Sequence, residues 1–368
     1  MTSTTSMRTM LATALAASML LAACGGTDAD SASDRNATTA PASTTAPAST
    51  TTTTAPPAPS RGCGAATGAA LQLDKRTVQV GGDERWYLVT MPAATAPATP
   101  MPLVLDFHGL MEGATAHAQM SKFGDLATSA GFVVAFPQGI STPSAPVAHW
   151  AAGPGGTIAG PNIDLDYTSA VLDQLESTLC IDTTRVYADG LSNGAMMASL
   201  LACRMADRFA AVATVAGATE FDDCAPSARV PLLAFHGTAD PILRFNGGVG
   251  DIVKLISGGT ASSGGGTTTT TAPADLNGPG YPANVKAWAA RNGCTATATD
   301  TPVSAEVTLR TYDCPAGADV EFYIVANGGH AWPGSEFSRN IAQVVGYTTF
   351  DVDATKLIWQ FFQKFRRV

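Results

Sequence analysis

Charge is scarce in this chain. Only 14% of its residues are Asp, Glu, Lys or Arg, and 30 acids against 21 bases leave a formal net charge of −9. No basic stripe interrupts that balance, so nucleic acid is not an expected partner. Histidine is rarer still. There are five, none at zinc-ligand spacing and no C-x-x-C beside them, so no metal centre is expected. A convincing membrane span is also missing. The apolar stretch Met10 to Ala23 is short and built from small side chains, which does not suit a bilayer crossing. What remains is 368 residues, ample for one large core or two small domains.

The stretch before Cys24 reads as a targeting signal. Arg8 precedes the apolar run, no acid occurs before Asp28, and the run ends Leu21-Ala22-Ala23-Cys24-Gly25. This resembles a bacterial lipoprotein signal at 1–23, cut before Cys24 with lipid on its thiol; the competing reading is an ordinary secretory signal with a coincidental cysteine. Residues 24–60 are Thr, Ala, Pro and Ser with almost no large apolar side chain. Such a segment buries too little to offset its ordering entropy and is expected to be an extended, disordered tether. The expected location is therefore extracytoplasmic, at the cell surface or secreted, with the membrane touched only through the anchor. The other six cysteines, an even number in an exported chain, suggest disulfides. Locality favours Cys294–Cys314 and Cys203–Cys224, leaving Cys63–Cys180.

From residue 61 the pattern is that of alternating strands and helices. Arg85–Met91, Pro102–Phe107, Phe132–Phe136, Arg185–Asp189, Ala210–Ala216, Val230–Phe235, Val303–Tyr312 and Asp319–Ala326 read as strands. Pro102–Phe107 is nearly continuously apolar, as in a strand covered on both faces. Helices are expected over 116–130, over 164–179 with Asp164 or Asp166 at its start, over 283–291 and over 351–365. The last has Leu357, Ile358, Phe361, Phe362 and Phe365 on one face, which is read as core. The stretch 139–160 reads as loop, and the simple sequence at about 258–280 as a disordered or mobile insertion within one domain, 61–368. This alternation predicts an α/β fold, a mostly parallel sheet with helices on both faces.

Gly190-Leu191-Ser192-Asn193-Gly194 is the single G-x-S-x-G in the chain, set between a strand and a helix pattern. That is the context of a nucleophile elbow, although glycine is common enough here for chance to produce the motif. A serine hydroxyl needs a base, and the base an orienting acid. In the order Ser, acid, His, the base is His330, in a Gly-rich loop after a late strand, with His236 the weaker alternative. Asp240, just past the strand that ends at Phe235, is the acid; Asp222, Asp223, Asp251 and Asp275 are poorer. A turn or cap role suits Asp240 equally. The oxyanion donors are expected to be the N–H groups of Asn193 and of Leu110, with Met111 as fallback. His108 is read as a structural loop residue. Trp150 and Trp332 are either substrate contacts or packed plugs. His117 and His149 carry no evident role.

His108-Gly109 after a strand, Gly-Leu-Ser-Asn-Gly-Ala-Met-Met, His236-Gly-Thr-Ala-Asp240 and Gly328-Gly-His-Ala-Trp-Pro-Gly334 occur together in order. Across roughly 62–368 this set resembles the secreted poly(3-hydroxybutyrate) depolymerase and feruloyl esterase group, similar to carbohydrate esterase family 1. The resemblance implies an α/β-hydrolase fold, a Ser192–Asp240–His330 triad and no cofactor. It implies an exported serine esterase acting through an acyl-enzyme, as a monomer, on a small, oligomeric or polymeric ester substrate such as a hydroxyalkanoate or a feruloyl or acyl sugar. With no separate polymer-binding segment in view, soluble esters or oligomers are expected over solid polyester. The chain departs from the group in the Leu-Met-Glu of its oxyanion loop and in the length of its 258–280 insertion. The alternative is a non-catalytic surface lipoprotein that binds polysaccharide or polyester on the same fold.

Overall fold

The computed structural model describes residues 56–64, 69–93, 99–142, 145–153, 162–251 and 273–367. The expected signal at 1–23, the tether up to residue 55 and the insertion up to residue 272 lie outside them.

Six strands run parallel through the middle of one sheet, in the order β4 (Val133–Pro137), β3 (Met101–Phe107), β7 (Ile181–Gly190), β8 (Ala211–Val215), β9 (Leu232–Gly237), β12 (Val320–Val325). Antiparallel strands finish both edges. β2 (Asp83–Met91) and β1 (Leu71–Val80) extend the β4 side, and β11 (Val307–Tyr312) and β10 (Ala298–Pro302) the β12 side. The central strands are apolar throughout because both faces are covered. In β3 all seven residues are buried, and they alternate with the strand period of two. Leu103, Leu105 and Phe107 join one cluster with helices α3 (Ile163–Thr178), α4 (Asn193–Arg204) and α5 (Tyr281–Arg291). Val104 joins the other, with α1 (Ala114–Ser121), α2 (Phe123–Ala130) and the late helix Ala354–Phe362. Two short helices, α6 (Glu336–Asn340) and α7 (Ala342–Val345), precede that last one, which is therefore α8. This is the α/β-hydrolase arrangement, and it puts the loops after β3, β7, β9 and β12 at the carboxyl ends of parallel strands.

Several elements differ from expectation for local reasons. The helix expected over 116–130 is two, broken at Lys122, whose left-handed φ of 58° ends α1 and begins α2. The loop expected at 139–160 holds a hairpin, β5 (Ile140–Thr142) with β6 (Ala145–His149). Helix α3 is capped by the Asn162 side chain, which accepts the Asp164 N–H. Asp164 instead lies buried against Arg85 at 2.6 Å and accepts the Ala151 N–H. Residues at the end of the expected tether are part of the fold. Ala58 N–H donates to Asp182 Oδ1, and Ser60 N–H to the Ile181 carbonyl. The Asn246 side chain likewise holds the end of the expected insertion, donating to the Asp275 and Pro279 carbonyls and accepting the Asp275 N–H.

Three disulfides join Cys63 to Cys180, Cys203 to Cys224 and Cys294 to Cys314. Among the described residues no helix is long and apolar enough to cross a membrane.

Candidate active site

Strand β7 delivers Ser192 into a tight turn at its carboxyl end. Ser192 has φ 57° and ψ −117°, a conformation costly for a side chain with a Cβ and one that persists only when its surroundings enforce it. They do so here. Ser192 N–H donates to the Val215 carbonyl of β8, and the Ser192 carbonyl accepts the Met196 N–H of α4. The flanking glycines are required by crowding. A Cβ on Gly190 would lie 2.5 Å from the Phe107 carbonyl oxygen, and one on Gly194 2.0 Å from it. Only without side chains can β3, β7 and α4 converge so closely.

Asp240 and His330 come from the loops after β9 and β12. His330 Nδ1 is 2.7 Å from Asp240 Oδ2, with both side chains buried. A proton shared with that carboxylate sits on Nδ1, which leaves Nε2 as the basic nitrogen. Asp240 Oδ1 accepts the N–H groups of Ile242 and Leu243, so the same residue also organises its turn. Burial disfavours its ionised form, but the neighbouring His330, with His236, more than offsets this and holds the carboxyl well below the ordinary aspartate value. The backbone around His330 is pinned as well. Gly329 N–H donates to the Tyr347 carbonyl and His330 N–H to the Val345 carbonyl.

His236 lies beside this pair. Its Nε2 is 2.8 Å from the Leu243 carbonyl and 3.3 Å from Asp240 Oδ2, and its ring stacks on Tyr281. It is buried behind Asp240, consistent with a supporting place and not with that of the base. His108 is also buried. Its Nδ1 faces the Gly109 carbonyl, its Nε2 accepts the Gly139 N–H, and burial depresses its pKa to about 4. The ring is neutral near pH 7 and spent on loop structure.

Of the two expected oxyanion donors, neither Leu110 N–H nor Asn193 N–H has an acceptor among the described residues. Asn193 is the first residue of α4, where the N–H has no carbonyl four residues back inside the helix. The fallback donor is not available. Met111 N–H donates to the Ala148 carbonyl. Asn193 is further held by its side chain, which accepts the Trp150 N–H and donates to the carbonyls of Trp150 and Ala152.

Of the two readings of the tryptophans, substrate contact or packed plug, their burial agrees with the plug. Trp150 is 2% and Trp332 1% exposed. Trp150 donates its indole N–H to the His108 carbonyl and lies against Tyr167 and Phe107. Trp332 donates to Thr355 Oγ1 and lies edge-on to His117 and Phe123. A buried ring with its N–H satisfied offers little surface to a ligand. Leu110, by contrast, is 38% exposed. Glu112 and His117, to which sequence reasoning assigned no role, bond to each other beneath the loop after β3. The available signal was Asp106, a carboxylate inside an apolar strand.

The profile of the family described as Esterase PHB depolymerase matches residues 86–248, a span that contains the elbow and Asp240. Putative esterase NocK of Nocardia uniformis subsp. tsuyamanensis is 31% identical over 281 residues, covering 74% of this chain and 77% of that protein. The chain belongs to this esterase family. Its members are carboxylic-ester hydrolases. Feruloyl esterase B of Piromyces equi is 29% identical over 254 residues, 67% of this chain but only 42% of that protein. Among solved structures, an acetyl xylan esterase from Aspergillus awamori is 14% identical, with a TM-score of 0.47 over 74% of this chain and 98% of that one.

Proposed function

We propose that the chain is an exported serine esterase that hydrolyses carboxylic esters through an acyl-enzyme. Ser192 Oγ attacks the ester carbonyl while His330 Nε2 takes its proton, then returns it to the departing alkoxide. Asp240 holds His330 in the required tautomer and stabilises the imidazolium. The Leu110 and Asn193 N–H groups receive the oxyanion. Water, deprotonated by the same histidine, releases the acyl group and restores the serine. The observation that carries this reading is the 2.7 Å Asp240–His330 bond at the strand ends that also carry the constrained Ser192 turn.

The substrate class is proposed from the names of the relatives. Relatives named as feruloyl esterases and as an acetylxylan esterase/xylanase, with a family named for polyhydroxybutyrate, support acyl esters of sugars or hydroxyalkanoate oligomers. A panel of p-nitrophenyl acetate and butyrate, a feruloyl sugar, a 3-hydroxybutyrate oligomer and a peptide separates these. Ser192→Ala should lower turnover of every ester cleaved by at least about 1,000-fold and abolish labelling by a fluorophosphonate probe. A folded Ser192→Ala protein that still turns over p-nitrophenyl butyrate at the parent rate would sink the mechanism, and a parent that never labels would favour a pure binder.

Anchoring through Cys24 completes the proposal, supported by the Leu-Ala-Ala-Cys sequence. Radiolabelled palmitate should enter the expressed full chain but not its Cys24→Ser form; equal incorporation in both removes the anchor.

A further inference from the structure

Beneath the two site loops runs a line of buried titratable groups that the proposed reaction does not use. Asp106 on β3 and Asp189 on β7 are register partners, one at the root of the oxyanion loop and the other at the root of the elbow. Asp106 Oδ2 accepts the Ser121 hydroxyl at 2.6 Å, and its Oδ1 lies 2.5 Å from His117 Nε2. His117 Nδ1 is 3.0 Å from Glu112 Oε1. Glu112 Oε2 accepts the Gly109 N–H at 2.6 Å. The side chains of Asp106 and His117 are fully buried, and that of Glu112 is 8% exposed.

Both ring nitrogens of His117 face a carboxylate, so both act as donors in the imidazolium form. Burial opposes that charge. The Asp106 and Glu112 carboxylates overcome it and hold the His117 pKa well above the ordinary histidine value. Such a buried ionic group is a poor stabiliser, since apolar residues of equal volume often serve as well or better. Its position supplies another reason for it. The last member of the line is spent on one backbone N–H, that of Gly109, in the residue before the expected oxyanion donor. On the other side Met111 N–H is committed to the Ala148 carbonyl. Leu110 N–H is thus the uncommitted donor between two fixed peptides. The held backbone also abuts the nucleophile: a Cβ on Gly109 would sit 3.6 Å from Ser192 Cβ.

We propose that the Asp106–His117–Glu112 relay is a positioning device for the oxyanion loop, fixing Gly109 and with it the Leu110 N–H against Ser192. The inference rests on the Ser192 reading above. The relay touches no reacting atom and transfers no proton. A shift of about 1 Å in a positioned group can cost about 100-fold in rate, so its effect should fall on the chemical step and not on substrate capture.

The test compares Glu112→Ala, Glu112→Gln and the triple variant Asp106→Asn/Glu112→Leu/His117→Phe with the parent and with Ser192→Ala, on p-nitrophenyl butyrate. Glu112→Ala removes the Gly109 acceptor and should lower kcat about 10- to 100-fold, with KM nearly unchanged. Affinity for a boronic acid that forms a tetrahedral adduct should fall in parallel. Glu112→Gln keeps an acceptor for Gly109 and lets a neutral His117 pair with the amide, so it should recover most of the lost kcat. The triple variant replaces the whole charged line by neutral side chains, so no buried carboxylate is left without a partner. It should fold and yet show the low kcat of Glu112→Ala. Parent-like kcat in folded Glu112→Ala or in the folded triple variant overturns the relay, as does an equal loss in Glu112→Gln. Failure to fold by both variants that lack the acceptor also overturns it, because the relay would then be a stability element. An active Ser192→Ala removes the nucleophile reading instead, so the two failures are separately visible.

Discussion

Three imidazoles and one carboxylate in and beneath the site show how surroundings set what a side chain does. His330 faces a carboxylate with one nitrogen only; His108 faces a carbonyl and a backbone N–H and is neutral; His117 lies between two carboxylates and is charged. Asp189 is the carboxylate. Both its oxygens are buried without a hydrogen-bond partner among the described residues. Burial first, and then the Asp106 carboxylate, push its pKa well above the usual 3.8. The folded protein therefore keeps a proton that the unfolded chain gives up above about 4. The stability tied to that proton is whole below the unfolded value and drains away as pH rises toward the folded one. Asp189→Asn imitates the protonated acid without the titration. It should flatten the fall of the urea midpoint between roughly pH 4 and the folded Asp189 value, and an unchanged slope across that range would refute the assignment. At this scale the sequence offered Ser192, Asp240 and His330 as candidates, because type and order are written in the chain, and the Asp240–His330 bond agrees with that expectation. Asp189 and His117 have no sequence signature, since their chemistry comes from neighbours brought by pairing and packing.

The closing helix α8 shows what an element's own pattern can reveal. Asp353 caps it by accepting the Lys356 N–H, and Ile358, Phe361 and Phe362 are buried along the apolar face expected from sequence. Phe362 stacks on Tyr187 of β7 at 4.7 Å, and Trp359 on Phe132 at 3.9 Å. Phe362→Ala should cost about 3–5 kcal/mol by urea denaturation while leaving kcat per folded molecule unchanged, since the helix packs on the face away from α4. A loss of kcat larger than the loss of folded protein would show that this face communicates with the elbow. The split at Lys122 and the β5–β6 hairpin were not legible. A left-handed lysine and a short irregular pair depend on what the chain must pack around, not on propensity.

Among the described residues, three disulfides tie segments of the fold together over very different spans. Cys63–Cys180 spans 117 residues and joins the first described segment to the start of β7. A loop of that size removes the most freedom from the unfolded chain. Replacing both cysteines by serine should cost about 4–5 kcal/mol on that entropic account, and the Cys294–Cys314 pair, 20 residues apart, about 3 kcal/mol. Equal losses in urea titrations of the two double variants would argue that residual structure, not loop length, sets the contribution. Three such bonds suit an oxidising compartment.

By itself the sequence determined the architecture and brought forward the candidates for the chemistry. Continuous apolar runs between turn signals specify covered parallel strands, and the order Ser192, Asp240, His330 names the strand ends proposed for the site, because both properties are carried by residue type along the chain. Tertiary structure alone decided the roles of groups that act through neighbours. It buried Trp150 and Trp332 as plugs, committed Met111 N–H to Ala148, and ran a charged line from Asp106 to Gly109. Those outcomes depend on distances of a few ångströms between residues far apart in sequence. Burial and pairing there change what a carboxylate or an imidazole is, and one-dimensional pattern carries no record of it.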